Sequence, residues 1–242
     1  MYARVLVLLL SIVITGALPV VGTGAKRGRA DDKVSERSYD SSTYLSLPGV
    51  NVATRYPDTI DVRGRDDEKI ADLDLVLIGF SHGSPKDVDV MLVAPNGRAA
   101  LVMADAGGET DVSDLTIRLD NDAKSRLPRA SALSSGSFRP VNYRDGEVSG
   151  APETGGSGST GGNGQSGGDG QSGGDGQPGG NGSLETDAFP APAPERIPGS
   201  SLVVFNGMNP AGRWQLFIRS DGPGAGSLAG WELCIETKVR KR

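Results

Sequence analysis

The feature that most constrains this chain is a period of two. In Ala71-Asp72-Leu73-Asp74-Leu75-Val76-Leu77 the leucines fall on one side and the aspartates on the other. Asp87-Val88-Asp89-Val90-Met91-Leu92 and Leu115-Thr116-Ile117-Arg118-Leu119-Asp120 repeat the pattern. Successive side chains of a strand point to opposite faces, so this alternation marks strands with one buried and one wet face. Gly83-Ser84-Pro85, Pro95-Asn96-Gly97 and Ala106-Gly107-Gly108 are turn signals between them, and the Asn-Gly pair predicts a hairpin. Further strands are expected at Ser200–Phe205, Trp214–Ile218 and Gly230–Ile235. With no amphipathic helix pattern beyond the N-terminal segment, the expectation is an all-β sandwich or barrel.

Glycine then divides the chain. There are 36 in 242 residues, and 15 of them lie within residues 155–182. Gly161–Gly182 is a hexapeptide repeat of the form Gly-Gly-Asn/Asp-Gly-Gln-Ser/Pro. The spacing is not the Gly-X-Y of collagen. Its period of six, without a large apolar residue, also departs from the nonapeptide repeats of calcium-binding β-rolls. A stretch this polar cannot bury a core and reads as a flexible coil. Residues 151–184 are therefore expected to be a disordered loop inserted into one domain spanning 44–237, since closure entropy grows only slowly with loop length. The block after the repeat is too short to stand comfortably as an independent all-β domain.

The ends read differently. Met1–Ala25 has the layout of a secretory signal peptide: Arg4, an apolar run over Val5–Val13, and small residues before a cleavage point at Ala25 or Ala17. Gly16 and Pro19 interrupt the run before it reaches membrane-spanning length. The expectation is a secreted, extracellular, monomeric chain with no membrane span after cleavage. Residues 26–43 are polar and charged and read as a disordered lead-in. Residues 238–242 form a basic tail, read chiefly as a solubilising end. A net charge of −5 excludes the basic footprint of a general nucleic-acid binder. One cysteine, Cys234, and one histidine, His82, exclude a disulfide framework and a His/Cys zinc site.

Several strings together resemble a known module. Ile70–Leu75, Gly79-Phe80-Ser81-His82 and Asp87–Gly97 come first, followed by Leu101–Gly108, Leu127-Pro128, Leu133–Pro140 and Phe189–Pro194. Phe205-Asn206-Gly207-Met208-Asn209-Pro210-Ala211-Gly212-Arg213-Trp214 is the strongest, with Gly226–Trp231 after it. In this order they resemble the P domain (P/Homo B) of subtilisin-like proprotein convertases, over about residues 50–237 apart from the repeat. The resemblance implies a jelly-roll, galactose-binding-like β-sandwich. In convertases the module follows a subtilisin-type catalytic domain, stabilises it and influences its calcium and pH behaviour. With no catalytic domain in the chain, the resemblance implies an accessory module rather than a protease. Its partner would be a protein, such as a serine endopeptidase, or a cell-surface glycan.

An enzymatic reading meets the residues directly. Gly79-Phe80-Ser81-His82-Gly83 fits G-x-S-x-G, but that motif requires a helix after the turn, and Ser84–Val90 reads as turn and strand. The only histidine sits beside the serine instead of approaching from elsewhere in the fold. No cofactor is required. Asp87, Asp89, Asp105, Asp120 and Asp122 lie near strand ends and are the candidate calcium ligands, with Asp87 and Asp105 foremost; the plainer reading makes them solvated turn residues. Trp214 and Trp231 share parity with Leu216 and Leu233, which predicts burial. Exposure of both on one concave face would instead suit a carbohydrate-binding or adhesion module.

Overall fold

The computed structural model describes residues 33–143, 188–195 and 199–239. The expected signal peptide at 1–25, the expected loop at 151–184 and residues 240–242 lie outside them. All described residues fall in the compact unit Asp32–Arg242.

Thirteen strands form among the described residues. They are β1 Lys33–Ser41, β2 Leu45–Leu47, β3 Asn51–Val52, β4 Asp58–Val62, β5 Glu68–His82, β6 Val88–Val93 and β7 Ala99–Ala104. After them come β8 Val112–Leu119, β9 Gly136–Phe138, β10 Val141–Asn142, β11 Gly212–Ser220, β12 Gly226–Leu228 and β13 Gly230–Val239. One sheet has seven strands in the order β1-β13-β5-β12-β2, with β8 on β5 and β9 on β8. The other has six in the order β10-β7-β6-β11-β3, with β4 also on β11.

The period of two builds the core between these sheets. Leu73, Leu75 and Leu77 from one sheet share a single hydrophobic cluster with Val88, Val90, Leu92, Leu216 and Ile218 from the other. Trp214 and Trp231 are fully buried in it. Two packed sheets with a shared apolar interior make an all-β sandwich. The predicted hairpin forms: β6 and β7 pair antiparallel, and Gly97, at φ +83°, turns the chain between them.

Strand β6 departs from one-face burial, since all six of its residues are buried. Met91 and Val93 point away from the main core into a second cluster with Leu101, Phe217, Phe189 and Ala193. The segment carrying Phe189 and Ala193 thus covers the outer face of the six-stranded sheet.

Three sequence expectations are corrected. Lys33–Ser41 is not a disordered lead-in: it is β1, paired antiparallel with all of Trp231–Val239. Its order comes from backbone pairing at a sheet edge, where polar side chains cost little. Arg37 adds hydrogen bonds to Glu68 at 2.7 and 2.9 Å, and the Tyr39 hydroxyl donates to the Arg63 carbonyl. Lys238 and Val239 belong to β13 rather than to a tail. Leu202–Phe205 is a short 3-10 helix, not a strand. Only Leu202 and Phe205 of that segment are buried, a spacing of three, and the Ser201 side chain accepts from the Val203 amide at its start.

Candidate functional site

The Ser81–His82 pair sits at the end of β5, and no nucleophile elbow is built there. A three-residue 3-10 helix, Pro85–Asp87, follows instead of an α-helix. Ser81 Oγ accepts from the Asp114 amide at 2.9 Å. The His82 ring is buried, with Gly224 and Gly226 against it. Its Nδ1 lies 2.8 Å from the Ser84 carbonyl and 3.1 Å from the Ser84 amide nitrogen. Its Nε2 faces Ser220 Oγ at 3.5 Å, but Ser220 is buried too and its hydroxyl donates to the Gly222 carbonyl. Among the described residues neither ring nitrogen hydrogen-bonds a carboxylate, and the serine that the ring faces, Ser220, is itself buried. Burial holds the His82 imidazole below its ordinary value, against smaller opposing effects from Ser84, Asp87 and Gly224.

Beside this histidine lies a polar cleft of about 550 Å³. Its walls include Lys86 and Asp87 from the 3-10 helix, Asp105 and Glu109 from the turn after β7, Arg129, and Asp221 after β11. Backbone hydrogen bonds tie these turns together. Lys86 donates to Gly108 at 3.1 Å, Gly108 to Arg129 at 3.0 Å, and Asp221 to Asp87 at 2.9 Å. Lys86 also pairs with Glu109 at 2.9 Å and holds that carboxyl below its ordinary range.

The cleft brings together Asp87 and Asp105, the two foremost calcium candidates, but not the other three. Asp89 is buried at the start of β6 and committed to Arg219, at 2.6 and 2.8 Å. Asp120 and Asp122 lie at the far end of β8, roughly 25 Å along the strand from the cleft side. There the Asp120 carboxylate accepts from the Asp122 amide. The five aspartates therefore do not form one cluster. Among the described residues no group of three or more His, Cys, Asp or Glu could hold a metal ion. Lys86 and Arg129 line the same cleft. Sequence reasoning missed Lys86, Glu109, Arg129 and Asp221; the Asp221-Gly222-Pro223-Gly224 turn was the available signal for the last.

The Phe205–Trp214 string serves the fold. The Gly207 amide donates to the Ile70 carbonyl, and the Ile70 amide returns a bond to Met208. Asn209 Nδ2 donates to the Arg65 carbonyl, and Trp214 Nε1 to that of Pro210 at 2.8 Å. Phe205 meets Trp214 edge to face, with ring centroids 5.1 Å apart. Burial of both tryptophans removes them as sugar-stacking platforms.

Among the described residues, no helix is long and apolar enough to cross a membrane. No family model matches the chain, and no curated protein matches it either. Solved structures similar to it include the serine protease of Aeromonas sobria, alone and in complex with its chaperone. Each is 9% identical with a TM-score of 0.39; the match covers 86% of this chain for the complex and 87% for the protease alone. The chain spans 28% of the length of the chains it matches.

Proposed function

We propose that the chain is a secreted, non-catalytic module resembling the P domain, with a jelly-roll sandwich, that binds and stabilises a subtilisin-type serine protease. The observation that carries this reading is the burial of its one histidine among backbone groups and a buried serine. Acyl transfer by a serine needs a base that substrate and nucleophile can both approach. The residues carrying the family likeness are occupied in closing the sandwich around Ile70 and Trp214. That is what a structural module requires and an active site does not.

The test immobilises the purified chain and exposes it to the secreted proteins of its own source. The reading expects retention of a subtilisin-type protease that labels with a fluorophosphonate, while the chain itself does not label. Retention of polysaccharide alone, or labelling at Ser81, would overturn it.

A further inference from the structure

Strand β1 leaves one edge of the seven-stranded sheet open. Among the described residues it pairs with β13 alone, over all nine of its residues and without a bulge. No backbone hydrogen bond from another segment reaches Lys33–Ser41 among the described residues. Every second residue of an antiparallel strand turns its main-chain groups away from its neighbour, so β1 presents a row of N–H and C=O groups outward. Thr237, on β13 itself, adds a side-chain bond to the Ser35 carbonyl at 3.2 Å.

The other strands with a neighbour on one side only are β2, β3, β4, β9 and β10, of 3, 2, 5, 3 and 2 residues. Strand β2 continues the β1 edge, and there Thr54 closes it. The Thr54 amide donates to the Ser46 carbonyl at 3.0 Å, and Thr54 Oγ1 accepts from the Ser46 amide at 3.1 Å. Sheets blunt their edges with short strands, proline, bulges or a covering segment. Strand β1 is long, holds no proline and pairs in unbroken register. It is also fixed in its extended form from the inner side: Arg37 bonds to Glu68, Tyr39 to Arg63 and Ser41 to Asp58. The ordering that an added strand requires of this edge is therefore already met. Val34, Glu36, Ser38 and Asp40 take the other side of the strand and are exposed. Neither Glu36 nor Asp40 forms an ion pair among the described residues.

We propose that β1 takes up an extended segment of a protein partner as an added strand, with lysine or arginine at two positions four residues apart. Main-chain hydrogen bonds to the open edge supply the affinity, and side chains opposite Glu36 and Asp40 select the segment. Positions four apart in a strand lie on one face, as Glu36 and Asp40 do. A second copy of β1 fits worse. Antiparallel pairing that keeps exposed side with exposed side sets the Glu36 and Asp40 carboxylates of the two copies in direct or diagonal register, where like charges repel. This inference rests on the partner-binding reading and names the edge that the partner takes.

The probe is the fluorescein-labelled peptide Ser-Val-Lys-Thr-Val-Thr-Lys-Val-Ser, with its binding to the full chain read by anisotropy. An isomer with the second lysine moved one place, Ser-Val-Lys-Thr-Val-Lys-Thr-Val-Ser, has the same charge but puts its lysines on opposite faces of a strand. The first peptide is expected to bind about fivefold or more tightly than the isomer. Glu36→Gln combined with Asp40→Asn should abolish that preference, and the control pair Asp66→Asn with Asp111→Asn should keep it. Hydrogen exchange of amides within Lys33–Ser41 should slow when the peptide is added, because outward N–H groups gain acceptors. Equal affinity for the two peptides, or binding with unchanged exchange in β1, would overturn the assignment. So would a chain beginning at Asp32 that binds the peptide far more tightly, because the residues ahead of β1 would then be the occupant. Saturating peptide should release the retained protease; undiminished retention would overturn this edge while leaving the partner reading standing. Absence of retention by the parent, with peptide pairing intact, would overturn the partner reading alone.

Discussion

The Trp231 indole N–H donates to Asp58 Oδ2 at 2.8 Å, joining the two sheets through a buried hydrogen bond. The same oxygen accepts from the Ser41 hydroxyl at 2.6 Å, so β1 is fastened at this point as well. Asp58→Ala leaves a buried N–H unpaired and is expected to cost about 2–4 kcal/mol. Asp58→Asn keeps an acceptor and should cost less. Denaturant unfolding of the two variants checks both the size and the order.

Asp74 gives a pH signature. Desolvation pushes its carboxyl up to about 6, against the Arg118 hydrogen bond that pulls it down. The native state therefore binds this proton more readily than the unfolded state. The resulting stability is full below the ordinary carboxylate value and is lost as pH rises through about 6. Melting temperatures of the parent and Asp74→Asn, taken across that window, should diverge, with the parent losing ground as pH rises. Parallel profiles would show that Asp74 does not titrate differently on folding.

His82 works in the opposite direction. Burial lowers its folded value, so the unfolded chain takes up the proton first as pH falls below about 6.5. Stability from neutral His82 is full above that pH and declines below it. His82→Asn should be less stable at neutral pH and lack this acid-side decline. Far-ultraviolet circular dichroism melts along a pH series measure it.

Gly222 and Asp87 are coupled. A Cβ built at Gly222 would lie 2.0 Å from Asp87 Oδ2 and 2.2 Å from its Cγ. Gly222→Ala must displace that carboxylate and should cost about 1–3 kcal/mol. In an Asp87→Ala background the carboxylate clash is gone, only the Cβ of residue 87 remains at 2.8 Å, and the cost should shrink. A double-mutant cycle read by thermal unfolding gives the coupling. An additive cycle would mean that the Asp221–Gly224 turn moves instead.

The sandwich was legible where one strand face alone is buried. Leu73, Leu75 and Leu77 declared themselves against Asp72 and Asp74, and Asn96-Gly97 declared its hairpin. Strand β1 was not legible, because an edge strand held by backbone pairing needs no apolar face. Leu202–Phe205 was misread because its four apolar residues match a strand by composition, while the cap at Ser201 and burial at a spacing of three make it a 3-10 helix. The cleft was half legible. Asp87 and Asp105 mark turns, but their meeting with Asp221 depends on a pairing between β6 and β11 that lies far apart in the chain. Asp120 and Asp122 looked equivalent in sequence and were separated by the length of β8.

In the proposed function the chain stabilises a protease and does not itself cleave peptide bonds. The most direct measurement is the heat-inactivation half-life of the subtilisin-type protease activity secreted by the same source, with and without added purified chain. A longer half-life is expected with the chain present, and no hydrolysis of the peptide substrate by the chain alone. Identical half-lives at saturating chain, or hydrolysis by the chain that is lost in Ser81→Ala, would contradict it.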